Sequence, residues 1–330
     1  MAAITLSSSD RLTAAELVKR DGISDDQRRI IEMLAVTNEM LLDAPIVEAN
    51  DRTVNTQVVR TALPSGTHRV YNQGVGTGAS QTDTIHDVVA QLAIYSKVDK
   101  SLVKNASHPE EFLMNEQAAF IAGLSNDQAW DIFYGNHSEK PAEINGFATR
   151  RNKLEAKKCI SMGGNSANKQ TSIYLVKWGP QFVKYIYPRE ASGLGVMRED
   201  KGVQTVAAPG GGEMEAYVNY YQCDYGIAVG DPRALIRICN IDMSQDMTDE
   251  NAQKLIKKIL QAKAYLPQGD GTVSILCNAD VMSIFDQATL SKSNVVYTAE
   301  DPWGRPVNML RDMRIRRCDT ISNEEPVVTA

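Results

Sequence analysis

Apolar residues near the start of the chain recur at helical spacing. Ile30, Ile31, Leu34, Met40 and Leu41 fall on one helix face. Upstream, Thr13-Ala-Ala-Glu16 and Ser24-Asp-Asp-Gln27 are capping-box patterns, in which side chains at both ends satisfy the first free amides of a helix. Residues 1–44 therefore predict a helical arm. Asp43-Ala-Pro45 ends it, because the residue before a proline is pushed out of the α region. The pattern then switches to alternation. Val54, Thr56, Val58 and Arg60 alternate with Asn55, Gln57 and Val59, which predicts a strand. Residues 63–80 are polar and hold Gly66, Gly74, Gly76 and Gly78, and residues 84–95 resume an extended run. Two strands with a long polar tip make a hairpin-like excursion that buries little and is marginal on its own.

Residues 108–134 carry the strongest helical pattern. Pro109 suits a first helical position, Glu110 and Glu111 complement the helix dipole, and Leu113, Phe120, Ile121 and Leu124 form an apolar face. Gly123 and the capping box Ser125-Asn-Asp-Gln128 predict a break or kink, and Gly135-Asn136 a stop. Beyond it, 172–178, 182–187, 203–207, 214–228 and 234–239 read as strands, with a loop at Pro209-Gly-Gly-Gly212. Residues 248–264 read as a helix capped by Thr248, with Leu255, Ile256, Ile259 and Leu260 on its buried side. A strand over 273–277, a helix over 279–287 and closing β structure over 307–318 follow. The sum is a mixed α+β chain without the alternating βαβ series of a doubly wound nucleotide fold.

At 330 residues the chain exceeds the size of one simple core, which predicts two lobes. Hydrophobic residues at 43% and charged residues at 23% are enough to build a core, so disorder is not the dominant state. No apolar run reaches the roughly 18 residues of a membrane span, and the first residues lack the pattern of a signal peptide; a cytoplasmic site of synthesis and no membrane partner are expected. The net charge of −6 gives no footprint for gripping nucleic acid.

Catalytic and metal chemistry find little support. Cys159, Cys223, Cys239, Cys277 and Cys318 are scattered, which predicts free, mostly buried thiols. His68, His86, His108 and His137 never fall at metal-ligand spacing. Gly74-Val-Gly-Thr-Gly78 lacks the Lys-Ser/Thr of a phosphate loop. Residues 242–250 space oxygens as a calcium loop would, yet Met247 stands where such a loop needs glycine. Ser161 and Ser192 sit on no nucleophile elbow. No catalytic, metal or cofactor site is expected, which favours a structural or binding role.

One series of segments carries more than general pattern. It runs through Thr171-Ser-Ile-Tyr-Leu-Val-Lys-Trp-Gly179, Tyr187-Pro-Arg-Glu-Ala-Ser-Gly-Leu194, Asp200-Lys-Gly202, Tyr225-Gly-Ile-Ala-Val-Gly-Asp-Pro-Arg233 and Ile236-Arg-Ile-Cys-Asn-Ile-Asp242. Tyr134-Gly-Asn136, Ile144-Asn-Gly-Phe147 and Gly304-Arg-Pro-Val307 extend it over most of the chain. In order and spacing this resembles the major capsid proteins of short-tailed, double-stranded-DNA phages. The resemblance implies the Hong Kong 97-type capsid fold, with an N-terminal arm at 1–49, an extended loop at 50–98 and a peripheral domain with a spine helix at 99–154. An axial domain and hairpin would follow at 155–227, a second peripheral part at 228–263 and a second axial part at 264–330.

It also marks Trp178, Gly179, Pro188, Gly193, Asp200, Gly202, Gly226, Asp231, Arg233, Arg237 and Asn240 as structural positions. The implied partners are the chain itself as pentamers and hexamers, scaffolding, portal and cement proteins, and double-stranded DNA held without sequence specificity. The implied location is the virion, after assembly in the host cytoplasm. Arg60, Arg69, Tyr71 and Lys97, on or near the loop, are candidate contacts for Glu110, Glu111 and Glu116 at the spine of a neighbour. Forty-five residues ahead of the loop leave little room for a long scaffolding segment, and nothing marks a Lys–Asn cross-linking pair. Two alternatives stay open: a nanocompartment shell of the same fold, or a cytosolic α+β enzyme with a dispersed site.

Overall fold

The computed structural model describes residues 39–105, 109–189, 195–207, 212–243, 249–291, 297–300 and 306–329. The helical arm therefore lies outside the described residues except for its end, a 3-10 turn at Glu39–Leu42. The candidate calcium loop at 242–250 lies largely outside them too, as does Gly193.

One mixed sheet of 12 strands organises the body. Its spine runs β12 (Tyr297–Glu300), β13 (Pro306–Leu310), β14 (Met313–Arg317), β11 (Thr272–Cys277), β6 (Gln170–Trp178), β7 (Val183–Tyr187), β9 (Glu213–Val229) and β4 (Ala90–Asp99). Four strands join from the side: β10 (Leu235–Asp242) on β6, β5 (Cys159–Ser161) on β10, β1 (Ile46–Glu48) on β7 and β8 (Val196–Ala207) on β9. β2 (Val54–Ala62) and β3 (Gln81–Val88) pair only with each other.

Every residue of β6 is buried, and its alternation divides the body into two cores. Tyr174, Val176 and Trp178 point into a first core with Ile132, Phe133 and Phe147. Ile173 and Leu175 point into a second, with Leu255, Ile259, Val281 and Phe285. The first core lies under α2 (Pro109–Tyr134), which follows the short α1 (Lys100–Asn105) and precedes the single turn α3 (Phe147–Arg150). The second lies under α4 (Asp249–Tyr265) and α5 (Ala279–Ser291).

Two expectations need correction. α2 runs 26 residues without a break at Gly123. Ser125 and Gln128 of the would-be cap are buried, and Gln128 donates to the Tyr185 hydroxyl at 2.7 Å, so packing on the sheet holds the helix through its weak point. The extended run over 84–95 is two strands: at Val89 the chain leaves the β2–β3 pair, and β4 pairs with β9. The β2–β3 pairing ends at Val88. β10 and α4 pack in the second core with β11 and α5.

A buried ion pair crosses the middle of this body. Arg237 on β10 donates from Nη2 to Glu325 Oε2 at 2.8 Å, and the two side chains are 5% and 3% exposed. Arg237 Nε donates to Ser172 Oγ at 3.0 Å and its Nη1 to the Arg151 carbonyl at 3.0 Å. Ser172 donates to Glu325 Oε2, and the Tyr134 hydroxyl donates to Oε1 at 2.6 Å. Spine helix end, central strand, β10 and the tail at 318–329 thus meet at one carboxylate.

Glu325→Ala leaves the Arg237 guanidinium buried and uncompensated. It is expected to lower the unfolding free energy by about 3–5 kcal/mol. The exposed neighbour change Glu324→Ala is expected to move it by less than about 0.5 kcal/mol. Thermal or urea unfolding of unassembled subunits checks both. Equal small effects would contradict the central role of the pair.

Candidate assembly surfaces

One excursion leaves the body of the described chain and stays exposed along its outer part. The β2–β3 ribbon pairs Val54 with Val88 and continues to Ala62 with Gln81. Every residue from 63 to 80 beyond it is exposed. Among them Leu63, Val70 and Val75 are apolar, and Tyr71 is 93% exposed. The alternation expected along β2 is present, but not to make a core: Val58 is exposed and Asn55 is the strand's buried side chain. A lone two-stranded ribbon has no second face to pack on, and among the described residues nothing covers its apolar side chains.

Among the described residues the ribbon is fixed at its base. Asp87, opposite Asn55, is buried, accepts a hydrogen bond and ion pair from Arg150 on α3, and accepts the Val229 amide on its other oxygen at 3.0 Å. The Val89 amide donates to the Thr53 carbonyl at 2.8 Å, and the Arg189 amide to the Arg52 carbonyl at 3.0 Å. Close packing is required here as well. A Cβ on Gly226 would lie 2.9 Å from the Val88 carbonyl oxygen and 2.8 Å from Ile186.

The root of the arm is held by a second buried acid. Asp43 accepts from Arg316 Nε at 2.7 Å and Nη2 at 2.8 Å, from Arg314 Nη1 at 2.8 Å and from Ser274 Oγ at 2.8 Å. Burial alone would raise this carboxyl, but the Arg316, Arg314 and Ser274 donors outweigh it and hold it below the ordinary 3.8.

The expected contact residues are spread along the surface. Arg60 lies exposed on β2, Arg69 and Tyr71 at the ribbon tip, Lys97 on β4 and Glu110 at the start of α2. Within one subunit the structure brings none of the three cations into an ion pair with Glu110. Glu111 and Glu116 lie on α2, and their side chains fall outside the described residues. Met114 and Trp130 are the exposed large apolar residues among the described side chains of α2, and the Trp130 and Tyr134 rings lie tilted with centroids 4.6 Å apart.

Of the motif positions within the described residues, some are buried and others, such as Asp200 and Arg233, lie at exposed turns. Trp178 and Gly179 are buried at the β6 turn, where the Gly179 amide donates to Val183 at 3.0 Å; Pro188 is half-buried. Asp200 accepts the Gly202 amide at 2.8 Å, and Gly202 adopts φ +69, a left-handed turn at the β8 bulge. Asp231 caps a 3-10 turn and pairs with Arg233 at 2.8 Å. Asn240, at φ +57, clasps both backbone groups of Val328 at 2.8 and 2.9 Å. Sequence reasoning missed Asp43, Asp87 and Glu325. A signal existed for Asp87, which shares its strand face with Ile85 and Val89; Glu325 in Asn-Glu-Glu-Pro reads like any surface acid.

Among the described residues no helix is long and apolar enough to cross a membrane, and no group of three acids, histidines or cysteines could hold a metal ion. A family model, major capsid protein GP7, matches residues 23–329. The chain belongs to that family. Its structure is similar to that of bacteriophage Epsilon15, with 25% identity, TM-score 0.68 and 100% of both chains covered. It is also similar in fold to the bacteriophage JBD30 capsid, at 11% identity and TM-score 0.51 over 94% of this chain and 99% of that one. No curated protein sequence matches it. The GP7-family chain is thus a structural shell protein of the virion capsid that self-assembles, with the α+β fold of Hong Kong 97-type capsids.

The Asp43 geometry sets an acid limit. A carboxyl whose folded pKa lies below its unfolded value stabilises the fold above that value, and the contribution is lost as pH falls through the folded pKa. Below about pH 3.8, residues 39–48 are expected to lose amide protection in hydrogen exchange. Asp43→Asn is expected to remove that transition and to weaken the same segment at pH 7 by about 3 kcal/mol. Unchanged protection in the variant at neutral pH would refute the pin.

Proposed function

We propose that this subunit forms the pentamers and hexamers of an icosahedral head enclosing phage double-stranded DNA. The observation that carries the reading is the ribbon: a two-stranded excursion clamped at its base, whose polar, glycine-rich tip exposes Leu63, Val70, Tyr71 and Val75. Such a tip needs a second copy, and the ribbon of one subunit lies across the α2 spine helix of the next. Arg60, Arg69, Tyr71 and Lys97 meet Glu110, Glu111 and Glu116 there. Each exposed ion pair adds at most about 1 kcal/mol, so the contact draws its strength from buried area repeated around the shell.

The working division that follows is an arm up to residue 49, an extended loop at 50–88, a peripheral domain of α2 with β4, β8 and β9, and an axial domain built on β6, β10, β11 and β14 with α4 and α5. Assembly takes place in the host cytoplasm with scaffolding, portal and cement proteins. The acidic balance of the chain, −6 overall, suits a wall that confines DNA without gripping it.

Deleting residues 64–79 tests the loop. The variant is expected to remain soluble and folded by circular dichroism, and to sediment as subunits or small oligomers without closed shells in electron microscopy. Normal particles from the deleted chain would overturn the loop's role. A full-length chain that stays a monodisperse monomer or dimer would overturn the head itself.

A further inference from the structure

Two thiols meet in the body of the subunit, and nothing above uses them. Cys159 on β5 and Cys239 on β10 sit on adjacent parallel strands, in a register that aligns Arg237 with Cys159 and Cys239 with Ser161. With a period of two, both cysteines point to the same face. Their sulfurs are 3.6 Å apart, and the residues are 2% and 0% exposed. The remaining cysteines, Cys223, Cys277 and Cys318, are also buried and free.

The surroundings favour thiolate chemistry at one member of the pair. The Cys239 thiol beside Cys159 and the guanidinium groups of Arg237 and Arg151 hold Cys159 below its ordinary value, against burial, while Cys239 is pushed up. Burial, with the charge of Asp224 adding to it, pushes the Cys223 thiol up to about 12. Cys159 is therefore the natural attacking group and Cys239 the resolving one.

A lid covers the pair. Val328 and Leu154 pack against the two cysteines. The strap that carries Val328 is held by Asn240, by the Thr329 carbonyl accepting from the Leu154 amide at 3.1 Å, and by the Glu325 amide donating to Gln170 at 2.9 Å. β5 is only three residues long; besides β10 it is tied only locally, by the bridge of Cys159 to Glu155, so β5 and this turn can shift together by the roughly 1.5 Å that a sulfur–sulfur bond requires.

We propose that Cys159 and Cys239 are a latent intrachain disulfide, formed when the strap opens to a small-molecule disulfide oxidant. The Cys159 thiolate attacks one sulfur of the oxidant, and the first small thiol leaves. The Cys239 sulfur, losing its proton, then attacks the Cys159 sulfur of the mixed disulfide, and the second small thiol leaves. Two protein thiols are oxidised to one bond and one oxidant disulfide is reduced to two thiols. The bond closes an 80-residue separation and ties β5 to β10 under the strap. In a reducing cytoplasm the pair stays open; outside the cell it closes. This inference does not rest on the shell reading, because it needs only the folded chain.

The test uses the full-length protein with oxidised glutathione as the probe. After incubation, quenching and denaturation, the free thiols are counted and the unreduced peptides mapped. The expected result is a fall from five thiols to three, loss of the mass of two hydrogens, and a peptide joining Cys159 to Cys239. Cys223→Ser keeps the loss of two; Cys159→Ser abolishes it. Val328→Ala, which thins the lid, is expected to speed the reaction several-fold. The oxidised chain melts roughly 2–6 °C higher, and reductant reverses the gain. Five surviving thiols, or a linkage of Cys277 to Cys318 instead, would overturn the proposal. If a serine variant fails to fold, the peptide map of the unaltered chain still decides it.

Discussion

A guanidinium enclosed in a protein interior must have a carboxylate, and the rest of this structure depends on where Arg237 finds one. Its partner Glu325 lies 88 residues further along the chain. The tail at 318–329 is therefore a working part of the fold, since without it a charge stays buried and unpaired. The same carboxylate accepts from Tyr134 and Ser172, so it also sets where the spine helix ends against the central strand. Two other buried acids repeat the device at the joints. Asp43 fixes the root of the arm and Asp87 the base of the ribbon. Each of the three joins a projecting or trailing segment to the body through arginine. Apolar packing would hold such segments too, but it is non-directional; a charged, hydrogen-bonded pair fixes both position and orientation.

That arrangement separates two demands on a shell subunit. The body must be stable before assembly, and the excursions must be incomplete until a neighbour arrives. β6 serves the first demand by feeding both cores with alternate residues. The ribbon suits the second: clamped at Asp87, it exposes Leu63, Val70, Tyr71 and Val75, which nothing among the described residues covers. A ribbon with its own core would hold no such reserve. A ribbon without its clamp would lose orientation, and the ordering entropy would weigh against every contact made.

How far this was legible depends on the range of the forces involved. α2 was readable because its start, apolar face and stop at Gly135 are local signals. β9, β10 and the buried face of α4 were readable for the same reason. The false break at Gly123 shows local capping overruled by the sheet that buries Ser125 and Gln128. The strand change at Val89 was invisible because the pattern from 84 to 95 has no punctuation; what breaks it is the capture of Asp87 by Arg150, 63 residues away. The core that receives α4 was not legible for a similar reason, since an amphipathic helix shows which face it buries but not which sheet receives it. Glu325 had no signal at all. The motif residues Trp178, Gly226, Arg237 and Asn240 stood out through resemblance, and the structure gives their physical content: turn closure, close backbone approach, buried charge and clasp.

The placement of the buried charges bears on how such a subunit reaches its neighbours in register. Surface ion pairs are weak and screened, so they cannot by themselves hold a ribbon at a fixed angle over many copies. Fixing the angle inside the subunit, at Asp87 and Asp43, leaves the intersubunit contacts free to be individually modest. Modest contacts can break and re-form, which lets a growing shell discard misplaced subunits before closure. The rigidity lies at the joints, within the body, and the adaptability at the tips, where the chain is polar and rich in glycine. A subunit with those properties reversed would bind its first neighbour tightly in whatever orientation it met, and its assemblies would not close.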